Sequence, residues 1–402
     1  MSSNNSIIKE MRVALVHDYI KEYGGAERVL ETLHEMWPEA PVFTTVYLPQ
    51  FLGPHQKRFK NWNIKTSLAQ YLPFKAKLIS PLRLFAPLLF KTFNFSDFDV
   101  VIVSATGAYL PNMINKKSAL QTCYCHTPPR YLYGYATARE WKKIGVVRVV
   151  GEVMNHFLRL VDFKSAQNVD YFIANSQEVR SRIKKFYRKE AVVIYPPVSI
   201  CHPERKRRIS GDSSSAKWRT QNDKKKDYYL AGGRLARAKG IDIIIEAFTK
   251  LKKPLKIFGR GFAGYDRNIK YQISNSKYKN IEFLGEVSDE EKLELMRNAK
   301  AYVFTSFDED FGITPVEAMS VGTPVIAYRS GGVQETVIDG KTGIFFDEPI
   351  VESLVKAIKS FDKLRINAED CIRQAQKFSK ERFKKEILQF VTEITYGKKE
   401  KG

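Results

Sequence analysis

The chain has 402 residues, enough for two hydrophobic cores, and its 44% apolar and 27% charged content excludes a disordered or fibrous protein. A formal net charge of +22 favours anionic partners, whether nucleotide phosphates, anionic lipid head groups or nucleic acid, and does not choose among them. No apolar run reaches the roughly 18 residues that span a bilayer. The polar start MSSNNSIIKEMR lacks a secretory core, so a cytoplasmic setting is expected.

MRVALVHDYI reads as a buried strand, followed by a loop carrying Gly24 and Gly25. AERVLETLHEMW then sets Ala26, Val29, Leu30, Leu33 and Trp37 on one helical face. LISPLRLFAPLLFKTFNF, from Leu78 to Phe95, is apolar and flanked by Lys75, Lys77, Arg83 and Lys91. It suits either a buried helix interrupted by prolines or a segment lying on an anionic membrane through residues 75–95. APVFTTVYL, DVVIVSATG, ALQTCYCHT, YFIANS and AVVIYPPV are further short strands, with helical stretches between them. Such alternation implies an α/β chain with a mostly parallel sheet covered on both faces.

The paired prolines of YPPV close this first domain, at 11–198. Residues 199–226 follow as an insertion whose stretch from Cys201 holds nine Lys or Arg against three acidic residues. It reads as a solvated, disordered linker, with nucleic-acid binding as the alternative. The pattern then restarts: YYLAGGRL, LKIFGRG, IEFLGEV, AYVFTS, TPVIAY and GIFF are strands separated by helices. A second doubly wound domain therefore spans 227–375, and 376–402 form a C-terminal helix and basic tail. The four cysteines, Cys123, Cys125, Cys201 and Cys371, form no C-x-x-C pair and no disulfide framework, as expected in a reducing compartment. Cys123, Cys125 and His126 make a C-x-C-H without a second pair, which favours buried thiols over a metal site.

The stretch FDEDFGITPVEAMSVGTPVIA sets Glu309 and Glu317 eight positions apart, across a loop at the carboxyl end of AYVFTS. Open parallel sheets bind ligands at that edge. Thr314 suits an N-cap, Pro315 the first helical position and Glu317 the reciprocal half of a capping box. The same helix start is an anion site. Amides of Gly312, Ile313 and Thr314 can face a phosphate, Glu317 can accept ribose hydroxyls, and Glu309 can hold a sugar hydroxyl. GGRLARAKG supplies Arg234 and Lys239 on a turn at another strand's carboxyl end, where they would neutralise a diphosphate, although a solvated turn would look alike.

GGRLARAKG, EDFGITPVE and GTPVIAYRSGGVQETVIDGKTGIFF together resemble the donor half of glycosyltransferase family 4, the E-x7-E signature being Glu309 and Glu317. VALVHDYIKEYGGAERV and CYCHTPPRYLY resemble its first-domain segments, and the details are most similar to O-antigen-type mannosyltransferases. The resemblance implies a GT-B fold, two Rossmann-like domains facing a central cleft, and transfer with retained configuration. It implies that Glu309 holds the donor sugar with the backbone of Phe311 and Gly312 beside it, that Ile313 and Thr314 meet the diphosphate and that Glu317 meets the ribose. Arg234 and Lys239 would neutralise the leaving group, Gly24 and Gly25 would admit the diphosphate or acceptor, and His126 would lie near the reacting sugar. His126 could equally be an ordinary buried histidine.

The expected donor is a nucleotide sugar, GDP-mannose by closest resemblance. The expected acceptor is a glycan or a polyprenyl-linked glycan of surface polysaccharide biosynthesis, met at the inner face of the cell membrane. No cofactor, metal or specific nucleic acid is expected. Asp308-Glu309-Asp310 and Asp97-Phe98-Asp99 formally match D-x-D, the metal signature of the other large glycosyltransferase fold. A transferase acting on a soluble sugar or sugar phosphate is the alternative enzyme, and a charge-driven nucleic-acid-binding protein the non-enzyme alternative.

Overall fold

The computed structural model describes residues 11–135, 145–200, 227–261, 269 and 279–399. The insertion from Cys201 to Lys226, most of the GFAGYD turn and the last residues of the basic tail lie outside the described residues. The chain forms two compact units; it passes from the first to the second after Pro197 and returns to the first at Lys380.

The first unit holds a seven-stranded, wholly parallel sheet in the order β3-β2-β1-β4-β5-β6-β7. The strands are β1 (Val13–His17), β2 (Val42–Thr44), β3 (Ile64–Thr66), β4 (Val100–Ala105), β5 (Leu120–Cys125), β6 (Tyr171–Ala174) and β7 (Ala191–Val193). Apolar residues occupy successive positions because both faces are covered. Val13, Leu15, Val100 and Ile102 pack on one side, and Ala14, Val16, Val101 and Val103 on the other. Helix α1 (Gly25–Met36) buries Val29, Leu30 and Leu33 against the first of these faces. Full burial of each such side chain contributes about 1.5–3 kcal/mol.

Leu78 to Phe95 is divided between the core and the surface. It folds as two short helices, α2 (Lys75–Leu82) and α3 (Ala86–Lys91), with Leu82, Ala86, Phe90 and Phe95 in the core. Phe74, Leu84, Phe85 and Leu88 stay exposed. The longer helix α4 (Gly145–Gln167) also presents Val149, Val150, Val153, Phe157 and Leu160 outward.

The second unit holds six parallel strands in the order β10-β9-β8-β11-β12-β13. These are β8 (Tyr228–Gly232), β9 (Leu255–Phe258), β10 (Ile281–Gly285), β11 (Ala299–Phe304), β12 (Val325–Tyr328) and β13 (Gly343–Phe346). Its core joins Ala231, Ile257, Val303 and Ile326 to Ile244, Phe248, Leu354 and Ile358 of the covering helices. Helices α5 (Asp289–Asn298) and α6 (Ile313–Ser320) flank β11. The final helix, α7 (Lys380–Lys399), places Phe383, Ile387, Phe390, Val391 and Ile394 in the core of the first unit.

In both sheets the chain starts in the middle, builds outward one way and then reverses. The reversal lies between β1 and β4 in the first sheet and between β8 and β11 in the second. Crevices at the carboxyl ends of such strand pairs are the binding positions of doubly wound sheets.

Candidate active site

Most of the charged and glycine-rich motifs gather at these two reversal points. In the second unit, Gly232 to Gly240 follow β8 and Thr305 to Gly312 follow β11, and the two loops are tied together. The amide of Phe307 donates to the Ala238 carbonyl at 2.9 Å, and the Thr305 hydroxyl donates to the Lys239 carbonyl at 2.6 Å. Glycine suits position 240: its φ is +59°, and a Cβ there would sit tightly against the Thr305 carbonyl, at 3.0 Å.

This turn delivers Lys239 to Glu309, with Nζ to Oε2 at 2.5 Å, and the Ser306 hydroxyl donates to the same oxygen at 2.5 Å. Arg234 is exposed on the same turn. The Glu309 loop rests on Ser330-Gly331-Gly332, at the end of β12. The Gly332 amide donates to the Glu309 carbonyl at 2.8 Å, and the Asp308 amide to the Ser330 hydroxyl at 3.2 Å. A Cβ on Gly331 would lie 2.2 Å from the Glu309 carbonyl oxygen, so the backbones touch only because that side chain is absent. Phe311 is buried, with its ring edge-on to Phe378.

Helix α6 corrects the capping-box reading. Its N-cap is Gly312 at φ +90°, with no side-chain cap, so Ile313 and Thr314 are the first two helical residues and Pro315 the third. Glu317 therefore lies beyond the capping position. It is 2% exposed and pairs with Lys292 of α5, Nζ to Oε1 at 2.8 Å, while Lys292 also reaches Asp289 at 3.1 Å. Ile313 and Thr314, at the helix start, are half-buried. The Tyr302 hydroxyl donates to the Gly232 carbonyl at 2.7 Å beneath them.

In the first unit the reversal point collects His17 and Asp18 at the end of β1, Ser104 and Thr106 at the end of β4, and His126 after β5. Asp18 is buried and accepts from the Thr106 amide at 2.7 Å and from the Thr106 hydroxyl. Burial raises its carboxyl above the usual range, against those donors and His17. His126, 8% exposed, has its backbone fixed on both sides: its amide donates to Ala105 and its carbonyl accepts from Asn175, each at 2.9 Å. Desolvation, with His17 nearby, pushes its pKa down to about 3, so the ring is neutral at physiological pH.

Gly24 is the N-cap of α1, and its amide donates to Glu27 Oε2 at 2.8 Å; Gly25 opens the helix. Cys123 and Cys125 are buried in the core, and Asp99 binds the backbone and guanidinium of Arg12.

The structure thus brings Arg234, Lys239, Glu309, Phe311, Gly312, Ile313, Thr314 and Glu317 to one sheet edge, and Gly24, Gly25 and His126 to the edge of the other unit. Residues the motifs did not single out include Lys292, Ser306, Ser330, Gly331 and Gly332, and, in the first unit, His17, Glu27 and Ser104. The SGG after β12 was the one legible signal among them.

Two family models account for the chain: residues 23–200 match Glycosyltransferase Family 4, and residues 212–378 match Glycosyl transferases group 1. The chain belongs to glycosyltransferase family 4. Its similarity to family members extends along most of its length. It is 26% identical to the alpha-1,3/1,6-mannosyltransferase ALG2 of Kluyveromyces lactis, covering 83% of this chain and 72% of that one. It is also 26% identical to the ALG2 of Dictyostelium discoideum, covering 71% of this chain and 72% of that one. Among solved structures, Anabaena HepE in complex with UDP and glucose matches with a TM-score of 0.67 at 18% identity, over 95% of this chain and 99% of that one. Sucrose-phosphate synthase from Thermosynechococcus elongatus matches with a TM-score of 0.69 at 18% identity, over 96% and 100%. The two units are thus the two halves of a GT-B glycosyltransferase fold.

Proposed function

We propose that this glycosyltransferase transfers mannose from GDP-mannose, with retained configuration, to a glycan or polyprenyl-linked acceptor of surface polysaccharide biosynthesis. The observation that carries the reading is the set of charges at the second unit's reversal point. A carboxylate paired with lysine on one side of the helix α6 amides and a buried carboxylate on the other suit a ligand with a sugar, a diphosphate and a ribose in sequence. Glu309 takes the sugar hydroxyls beside the Phe311 and Gly312 backbone, the Ile313 and Thr314 amides take the phosphates, and Glu317 takes the ribose. Lys239 and Arg234 stabilise the departing diphosphate, a role that needs no metal ion. In the first unit Gly24 and Gly25 give backbone access at a helix start, and His126 hydrogen-bonds a sugar hydroxyl.

The name of the ALG2 relatives supports mannose, while HepE's complex with UDP and glucose makes a UDP-sugar the competing donor. Exposed Phe74, Phe85 and Leu88 beside Lys75, Lys77 and Arg83, with the outward apolar face of α4, support an acceptor met at the inner face of an anionic membrane. Among the described residues no helix is long and apolar enough to cross one.

The test is transfer by the purified protein from GDP-mannose or UDP-glucose, to a polyprenyl-linked glycan or a soluble sugar phosphate, with the product anomer read by NMR. An α-mannoside on the lipid-linked acceptor is expected. Transfer only to the soluble acceptor would replace the acceptor class, and transfer only from UDP-glucose would replace the donor.

A further inference from the structure

His17, Ser104 and His126 come from three adjacent strands whose pairing sets them side by side. His17 is in register with Ser104, and Ser104 with Tyr124, two residues before His126. His17 and Ser104 are fully buried, and Glu27 nearly so. Ser104 Oγ stands 3.2 Å from His17 Nδ1 and 2.9 Å from His126 Nε2. On its far side, His17 Nε2 faces Glu27 Oε1 at 3.6 Å, and the other oxygen of Glu27 accepts from the Gly24 amide at 2.8 Å.

Proton counting decides how such a chain is wired. A serine hydroxyl has one hydrogen, so between two ring nitrogens it donates to one and must accept from the other. Burial opposes ionisation of Glu27, but His17 and the backbone amides outweigh it and hold its carboxyl below the usual range. An ionised carboxylate facing His17 Nε2 requires the ring proton there, since a lone pair would repel it. At 3.6 Å the two groups are in electrostatic contact without a formed hydrogen bond, and His17 Nε2 has no hydrogen-bond partner among the described residues. With a single ring proton on His17, Nδ1 accepts from Ser104, Ser104 accepts from His126 Nε2–H, and His126 Nδ1 carries a lone pair.

We infer that Glu27, His17 and Ser104 are positioning residues that fix the tautomer of His126, so that it offers a hydrogen-bond acceptor rather than a donor to a sugar hydroxyl. The consequence for transfer rests on the function proposed above; the tautomer itself does not. The arrangement also gives Glu27, a helix residue in a glycine loop, a second task. Besides satisfying the Gly24 amide it sets the direction of every proton in the chain.

Glu27→Gln tests the direction. Its carbonyl oxygen can keep the Gly24 contact, which turns the amide NH2 toward His17 Nε2. That nitrogen must then accept, His17 Nδ1 becomes the donor, Ser104 turns round, and His126 is left protonated on Nδ1. Long-range 1H–15N correlation spectra of labelled histidines report this directly; the chain has only six, and His126→Ala assigns the signal. The wild type is expected to show His126 protonated on Nε2, Glu27→Gln protonated on Nδ1, and Ser104→Ala a mixture of both forms. In parallel, kcat for transfer is expected to fall about 10- to 100-fold in Glu27→Gln, with the donor KM unchanged, as befits a lone pair replaced by a donor. Thermal unfolding verifies that each variant is folded. A wild-type His126 protonated on Nδ1, or the same tautomer in Glu27→Gln as in the wild type, would overturn the relay. A tautomer that inverts while kcat stays the same would leave the relay standing and remove His126 from the transfer reaction.

Discussion

At the reversal point of the second sheet the polar side chains are ion pairs, whereas at the same place in the first sheet they form a largely buried hydrogen-bonded chain. Lys239–Glu309 is partly solvated, with side chains 27% and 14% exposed, and Lys292–Glu317 is buried, at 10% and 3%. The first sheet offers His126, Ser104, His17 and Glu27 instead. On the function proposed above, the contrast gives each edge a different task. An edge that holds cations against carboxylates can exchange partners when a ligand brings phosphates and hydroxyls, without leaving a charge bare. A buried chain with one allowed proton order cannot exchange; it holds a ring in one state. The first arrangement suits binding a charged donor, the second suits presenting one nitrogen.

Breaking the buried pair should have the largest effect. We predict that Lys292→Met costs about 3–5 kcal/mol of stability, because Glu317 is left as an uncompensated buried charge. Urea denaturation checks it, and Lys292→Met/Glu317→Gln should recover most of the loss. Glu309→Gln is expected to lower kcat about 10²- to 10³-fold, roughly 2.7–4 kcal/mol of transition-state stabilisation, while its effect on stability stays below about 1 kcal/mol. Steady-state transfer rates and thermal unfolding on the same sample separate the two. If Glu309→Gln instead unfolded the protein while Lys292→Met did not, the assignment of the two pairs would be reversed.

Gly331→Ala is expected to displace the Glu309 loop, destabilising by about 1–3 kcal/mol and weakening nucleotide binding together. Denaturation and calorimetric titration of the variant report the two. The last prediction tests the first unit away from its edge. Asp162 of α4 accepts from the Tyr133 and Tyr187 hydroxyls, yet burial pushes its carboxyl up to about 7. The native state therefore binds more protons than the unfolded chain between about pH 4 and pH 7, and stability falls as pH rises through that window. The slope from this group is at most about 1.4 kcal/mol per pH unit, and Asp162→Asn should flatten it. Denaturation curves at pH 5, 6 and 7 measure the difference.

The fold was legible where burial on both faces makes a strand an unbroken apolar run, as in VALVH and VVIVSA. It was not legible at Ile64–Thr66, an edge strand of three residues with exposed Lys65, which carries too few apolar positions to register. The spacing of Phe383, Ile387, Phe390 and Ile394 announces an amphipathic helix, but nothing local says that it packs on a sheet begun near residue 13.

At the site, residues adjacent in sequence were readable and residues adjacent only in space were not. Glu309 and Glu317 stand in one motif. Lys292 sits in an ordinary charged helix, DEEKLELMRN, and becomes special only because that helix packs beside α6. Ser104 lies near the end of a strand, 87 residues after His17. The one local misreading, the capping box, arose because Gly312 adopts a left-handed conformation and starts the helix two residues before Thr314, the cap that the spacing suggested.

Nucleotide binding by the second unit is tested most directly by thermal unfolding with GDP, UDP or ADP, with and without magnesium, in wild type and Glu317→Ala. One nucleoside diphosphate at a hundred times its dissociation constant should stabilise the wild type by about 2.7 kcal/mol, equally with and without magnesium, and should leave Glu317→Ala unshifted. No shift with any of the three nucleotides, or the same shift in Glu317→Ala, would contradict it.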